Sequence, residues 1–176
     1  IAFNALGKSF LDEVSQRGFE IFLDLKLHDI PNTVYETILG FEDCCIDMLT
    51  VHLSGGEEML KRALLAAQII KTKIIGVSIL TSLDESDSLT IFNNSLNDQI
   101  VNLFNLAKKI NIDGIVCSPH EVEVANTILD PHSIKVTPGI RDIFVEDDQV
   151  RTMSAKDAVK NGATFIVIGR PITEAK

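Results

Sequence analysis

The stretch Ile21-Phe22-Leu23-Asp24-Leu25-Lys26-Leu27-His28-Asp29-Ile30-Pro31-Asn32-Thr33 opens on a short apolar run and closes beside a proline. Ile21–Leu25 reads as a β-strand. Pro31 suits the first turn of a helix, which the pattern then carries over Pro31–Phe41. Strand and helix together make one βα unit, and the same alternation recurs along the chain. The other strand candidates are Met48–Val51, Ile74–Leu80, Gly114–Cys117, Ile134–Thr137 and Phe165–Ile168. Their near-continuous Ile, Val and Leu content suits parallel strands covered on both faces. Amphipathic stretches lie between them: one around Phe10 and Val14 that ends at Arg17-Gly18, then Glu57–Ile70, Asp98–Ile110, Glu121–Ile128 and Ala155–Asn161. In Asp98–Ile110, Ile100, Leu103, Phe104 and Ala107 share a face at helical spacing. Gly162 is the expected stop of the last.

Strict alternation of this kind predicts an α/β protein with a parallel sheet and right-handed crossovers. No repeat, linker or low-complexity stretch interrupts it, so residues 1–176 are expected to be a single domain. Two architectures fit, a doubly wound sheet and a (β/α)8 TIM barrel. A barrel needs eight units and about 250 residues. Six units therefore fit a partial barrel that lacks its first two strands and its C-terminal end. The chain starts at Ile1 without a methionine and stops at Lys176 within an unfinished segment, so both ends are expected to be cut. Periodicity alone does not choose between the architectures.

Composition narrows the partners. With 45% hydrophobic and 23% charged residues the chain is globular and not disordered. Lys and Arg number 16 against 25 Asp and Glu, a net charge of −9. That argues against nucleic acid as a partner, because counterion-release binding needs a basic face. A small phosphorylated ligand stays open, since it needs only one or two cations and a few backbone N–H groups. No stretch approaches the roughly 20 apolar residues of a membrane span, and no signal peptide opens the chain. No membrane partner and a cytoplasmic location are the expectation. Cys44, Cys45 and Cys117 are odd in number and lack metal-ligand spacing, so they read as reduced core or near-core thiols.

In α/β proteins the chemistry sits at the C-terminal ends of strands. The first strand ends in Asp24, Lys26, His28 and Asp29. Asp24 and Lys26 are two apart, so regular strand geometry puts both on one face. Read alone they are an ion pair that staples a strand end. Asp29, just past the strand, adds a second carboxylate within six residues, enough to alternate charge around a substrate. Gly169-Arg170 after the last strand is a phosphate-site candidate: glycine allows close backbone approach, and a following helix start and the guanidinium add donors. Residues 141–151 follow a Pro-Gly turn and read either as an ordinary polar loop or as a lid. His28 is expected to support the site from outside it, His52 to pack or cap a helix, and His120 and His132 to lie at the surface. The Gly55-Gly56 pair is too short for a nucleotide fingerprint. No cluster has metal spacing, and Ser54, Ser82 and Ser118 lack a His–acid partner.

From Asp24 to Thr33 the chain resembles the orotidine 5′-phosphate decarboxylase family. The D-x-K-x-x-D core also occurs in a wider barrel superfamily, but the continuation Ile30-Pro31-Asn32-Thr33 is far more specific. Val51-His52 with Ser54-Gly55-Gly56, Leu80-Thr81-Ser82, Thr137-Pro138-Gly139-Ile140-Arg141, Asp148-Gln149 and Ile168-Gly169-Arg170-Pro171 follow in family order, so the resemblance covers essentially the whole chain.

The resemblance implies an eight-stranded barrel that turns orotidine 5′-phosphate into UMP and CO₂, with no metal and no organic cofactor. It also implies a homodimer with shared active sites. Asp24 would sit beside the substrate carboxylate and Lys26 would protonate the carbon that loses CO₂. Asp29, Ile30 and Thr33 would reach the partner's site, and Thr81 would meet the pyrimidine region. Pro138, Arg141, Gln149, Gly169 and Arg170 match ligand-contacting positions, with Gln149, Gly169 and Arg170 at the phosphate. The family's lysine–aspartate–lysine–aspartate set begins with a lysine that would precede Ile1, so this sequence holds its last three members. Lys8, after Gly7 in the first helical region, is not a substitute. Two competing readings follow from the same features. One is a metal-dependent sugar-phosphate decarboxylase or aldolase of the wider superfamily. The other is a nucleotide-binding barrel without catalysis.

Overall fold

The computed structural model describes residues 2–140 and 153–173. Residues 1–75 and 76–176 form two compact units. In the first unit α1 (Ala2–Leu6) and α2 (Lys8–Gln16) precede β1 (Phe22–Leu27), α3 (Pro31–Leu39), β2 (Met48–His52) and α4 (Gly56–Ile70). β3 (Lys73–Val77) crosses from the first unit to the second. The second unit continues with α5 (Glu85–Phe92), α6 (Leu96–Lys109), β4 (Gly114–Val116), α7 (Val122–Ile128), β5 (Ile134–Thr137), α8 (Ala155–Lys160), β6 (Phe165–Ile166) and α9 (Arg170–Thr173).

The strands are hydrogen-bonded in chain order from β1 to β6, and the pairs β1–β2, β4–β5 and β5–β6 are parallel. A doubly wound sheet reverses its strand order at a switch point. This order never reverses, which settles the choice left open by periodicity in favour of the β/α-barrel class.

Each unit has its own apolar interior. In the first, α3 packs on α4, with Val34 and Ile38 buried on one helix and Met59, Ala63, Ala66 and Ala67 on the other. Alanine on α4 lets the two helices approach closely, while Leu49 and Val51 of β2 are fully buried. In the second, the face of α6 read from the sequence is the buried one: Ile100, Leu103, Phe104 and Ala107. Ser95 caps that helix by accepting from Asp98 N at 3.1 Å, and Lys108 and Lys109 occupy its last turn, where the dipole favours cations. Gly162 follows α8 at φ +104°, as its expected role as a stop requires.

Three expectations change. Glu85–Phe92 is a helix that the apolar pattern does not reveal, started by a reciprocal cap between Asp84 and Asp87. The predicted strand Ile74–Leu80 ends at Val77 and enters the turn that holds Thr81. Cys44 and Cys117 are buried free thiols, but Cys45 is exposed and not a core residue. Burial pushes the Cys44 thiol pKa up, in keeping with a packed side chain. No described helix is long and apolar enough to cross a membrane.

Candidate active site

The carboxyl end of β1 departs from regular strand geometry. Leu23 pairs with Leu49 and Leu27 with Val51, so four steps on β1 span two on β2. Such a bulge re-aims side chains at the end of a strand. Within it Lys26 adopts the left-handed conformation at φ +53°, which costs a residue with a side chain roughly 1–2 kcal/mol and is concentrated at functional sites. Asp24 and Lys26 do meet, with Lys26 Nζ 2.5 Å from Asp24 Oδ2. They meet across the bulge and not through the two-residue alternation of a flat strand.

Thr50 on β2 completes the arrangement. Its hydroxyl accepts from Lys26 N at 2.7 Å and donates to Asp24 Oδ1 at 2.9 Å. Thr50 is fully buried, whereas the Lys26 and Asp24 side chains are 37% and 43% exposed. At that exposure the ion pair adds only about 0–1 kcal/mol. The pair is partly exposed and contributes little to stability.

Beside the pair, the rings of His28 and His52 lie 5.2 Å apart at a 39° tilt. Burial lowers the His52 pKa below its ordinary 6.5, and His28 and Lys26 push the same way against Asp24. The surroundings of His52 thus favour its neutral form. The imidazole packs as expected, but it does not cap the short turn Leu53–Gly55 that follows. In that turn a Cβ on Gly55 would stand 2.1 Å from Met59 Sδ and 3.3 Å from His28 Cδ2. Gly55 thus serves this close packing.

Asp29 is not drawn into the Asp24–Lys26 pair. It is exposed past β1, and its Oδ1 accepts from Ile30 N at 2.7 Å. Ile30 is 67% exposed and Thr33 is exposed on the first turn of α3. The three residues expected at a partner's site thus form an uncovered edge of the first unit. Lys8 donates through Nζ to Gly40 O and lies over the Phe41 ring, a structural role in keeping with its exclusion from the lysine set.

In the second unit Thr81 is half-buried in the turn after β3, and Pro138 is half-buried between β5 and Gly139, whose φ of +77° the Pro-Gly turn requires. Gly169 is exposed, and among the described residues a Cβ built there would meet nothing within 4 Å. The packing of the described residues does not demand glycine at that position. Arg170 opens α9 directly after it. Arg141, Gln149 and the 141–151 segment lie outside the described residues. Sequence reasoning missed a buried group here: Glu121 Oε2 accepts from Ser78 Oγ at 3.1 Å and from Ser118 N at 3.3 Å, tying the ends of β3 and β4 together. A carboxylate three residues after Ser118, the spacing of a capping box, was the available signal.

Sequential parallel strands with charged and anion-suited groups at their carboxyl ends define a β/α enzyme class in which strand ends carry the chemistry. The chain belongs to the orotidine 5′-phosphate decarboxylase / HUMPS family, whose model matches residues 1–176. A protein of Wolbachia pipientis subsp. Culex pipiens named orotidine 5′-phosphate decarboxylase is 44% identical over 174 residues, 98% of this chain and 77% of the relative. One of the same name from Ehrlichia chaffeensis is 44% identical over 97% of this chain and 75% of its own. Among solved structures, orotidine 5′-phosphate decarboxylase from Lactobacillus acidophilus matches with a TM-score of 0.82 at 36% identity, covering 97% of this chain and 75% of that one. The enzyme from Thermotoga maritima matches with a TM-score of 0.77 at 28% identity, covering 100% and 78%.

Proposed function

We propose that this protein decarboxylates orotidine 5′-phosphate to UMP and CO₂, the last step of de novo pyrimidine nucleotide synthesis, as one β/α-barrel domain and without metal or organic cofactor. The observation that carries the reading is the Asp24–Lys26 pair, held at 2.5 Å on a strained strand end in a chain of this family.

The chemistry follows from the charges. When the bond to the carboxylate breaks, its electron pair stays on the ring carbon, and CO₂ leaves. No resident electron sink delocalises that pair. An ammonium fixed in advance at the carbon stabilises the developing negative charge without reorganising at the moment of reaction. Lys26 fills this role and then transfers its proton to the same carbon, forming the C–H bond of UMP. Asp24 orients the ammonium and stands beside the substrate carboxylate, where like-charge repulsion is relieved as CO₂ departs. Thr81 is assigned to the pyrimidine end and Pro138 to a ligand contact. Arg141, Gln149, Gly169 and Arg170 are assigned as ligand contacts, with Gln149, Gly169 and Arg170 at the phosphate. The open space at the Gly169 Cβ position supports close approach of an anion to the backbone there. Phosphate binding far from the reacting carbon contributes to turnover if it drives closure over the site.

The assembly assigned here is a cytoplasmic homodimer in which Asp29, Ile30 and Thr33 enter the neighbour's site. The exposed apolar side chain of Ile30 beside Asp29 supports it. The test is to mix full-length Lys26→Ala and Asp29→Ala variants, each inactive alone, under conditions that exchange subunits. In the heterodimer one site carries both changes and the other neither, as two-fold symmetry requires. Activity is expected to return in proportion to heterodimer. Heterodimers as inactive as the parents would assign Asp29 to its own chain.

A further inference from the structure

Thr50 takes no part in the chemistry described above, yet its hydroxyl touches both residues that do. The direction of each bond is fixed by the partners. An amide N–H can only donate and an ionised carboxylate can only accept, so the single hydroxyl proton goes to Asp24 Oδ1 while the oxygen receives Lys26 N–H. Within the bulge the Lys26 N–H is bonded to the Thr50 hydroxyl, so this bond helps hold the left-handed backbone. The bond to Oδ1 turns the Asp24 carboxylate so that Oδ2 faces the Lys26 ammonium. One fully buried hydroxyl thus sets the backbone of the lysine and the rotamer of the aspartate.

We infer that Thr50 is a positioning residue for the decarboxylation, holding the Asp24–Lys26 pair in its reacting geometry through the Lys26 amide and the Asp24 carboxylate. The inference rests on the roles given to Asp24 and Lys26 under Proposed function. Valine at this position would keep the shape of the side chain and remove the hydroxyl, leaving both groups without that partner. Serine would keep the hydroxyl and lose only a methyl group.

The experiment compares full-length wild type, Thr50→Val and Thr50→Ser in turnover of orotidine 5′-phosphate, affinity for UMP and thermal midpoint. Misplacing reacting groups by about 1 Å costs about 10²-fold. Thr50→Val is therefore expected to lose about that factor in kcat, with KM and UMP affinity little changed, because the reacting pair is displaced and not the nucleotide-binding groups. Thr50→Ser is expected to recover most of the loss. Wild-type kcat in Thr50→Val would overturn the inference, as would a Thr50→Ser as slow as the valine variant. Equal falls in kcat and UMP affinity would also overturn it, since they mark a general structural lesion. If Thr50→Val does not fold, Thr50→Cys replaces it with the same expectations, because a thiol is a weak hydrogen-bonding group. A wild type that never turns over orotidylate would refute the decarboxylase reading instead.

Discussion

The left-handed backbone at Lys26 makes a measurable prediction about stability. A side-chain-bearing residue in that region costs about 1–2 kcal/mol relative to an unstrained one, and the observed φ is +53°. Glycine escapes the steric cost but loses more freedom on folding, by roughly 0.5–1 kcal/mol. The ion pair to Asp24 adds about 0–1 kcal/mol at its exposure, and Lys26→Ala and Lys26→Gly both remove it. Alanine keeps the Cβ and hence the strain. The comparison between the two variants therefore isolates the backbone. Lys26→Gly is expected to be more stable than Lys26→Ala by about 0.5–1 kcal/mol, the reverse of the order at an ordinary strand position. The assay is urea denaturation of both full-length variants at neutral pH, with equal m-values as the check that only stability has changed. In a chain of this size the gap corresponds to a shift of about 1–4 °C in Tm. A glycine variant less stable than the alanine variant would refute the strained-bulge account of this strand end.

Arg170→Ala is expected to weaken binding of orotidylate strongly while leaving the phosphate-free nucleoside nearly unchanged, because a guanidinium at the phosphate acts on the dianion alone; equal losses in calorimetric titrations of both ligands would assign Arg170 elsewhere. The folded pKa of His52 lies below 6.5, so below that pH the unfolded chain binds more protons than the folded one. The stability due to neutral His52 is complete above 6.5 and declines as pH falls toward the lowered value. Denaturation on either side of pH 6.5 should show a smaller decline in His52→Gln than in wild type, and parallel declines would contradict the burial of that imidazole.

Legibility in the sequence followed the range of the interactions. β5 was readable to the residue, Ile134–Thr137, and the buried face of α6 was found intact, because both rest on local apolar patterning. Helix α5 was hidden. Glu85-Ser86-Asp87-Ser88-Leu89-Thr90-Ile91-Phe92 carries no apolar stripe, and only Ser88 is buried along it. Asp24 and Lys26 were legible as a charged pair at a strand end. The manner of their meeting was not, since regular strand geometry simply puts the two on one face, and the bulge is stabilised by Thr50, 24 positions beyond Lys26. Thr50 itself looked like any threonine in an apolar strand. In the sequence Glu121 marks only the start of a helix, and its bonds to Ser78 and Ser118 depend on two strand ends coming together.

The central claim is that Lys26, held by Asp24, stabilises and protonates the carbon that CO₂ leaves. Its most direct test is the rate of CO₂ release from carboxyl-labelled orotidine 5′-phosphate in excess chelator, for full-length wild type and Lys26→Ala. Wild type is expected to release label at full rate in chelator, and Lys26→Ala to be slower by several orders of magnitude. Retention of more than about a tenth of the rate in Lys26→Ala, a barrier change of only about 1.4 kcal/mol, would contradict the role of Lys26, and loss of wild-type turnover on adding chelator would contradict the metal-free reaction.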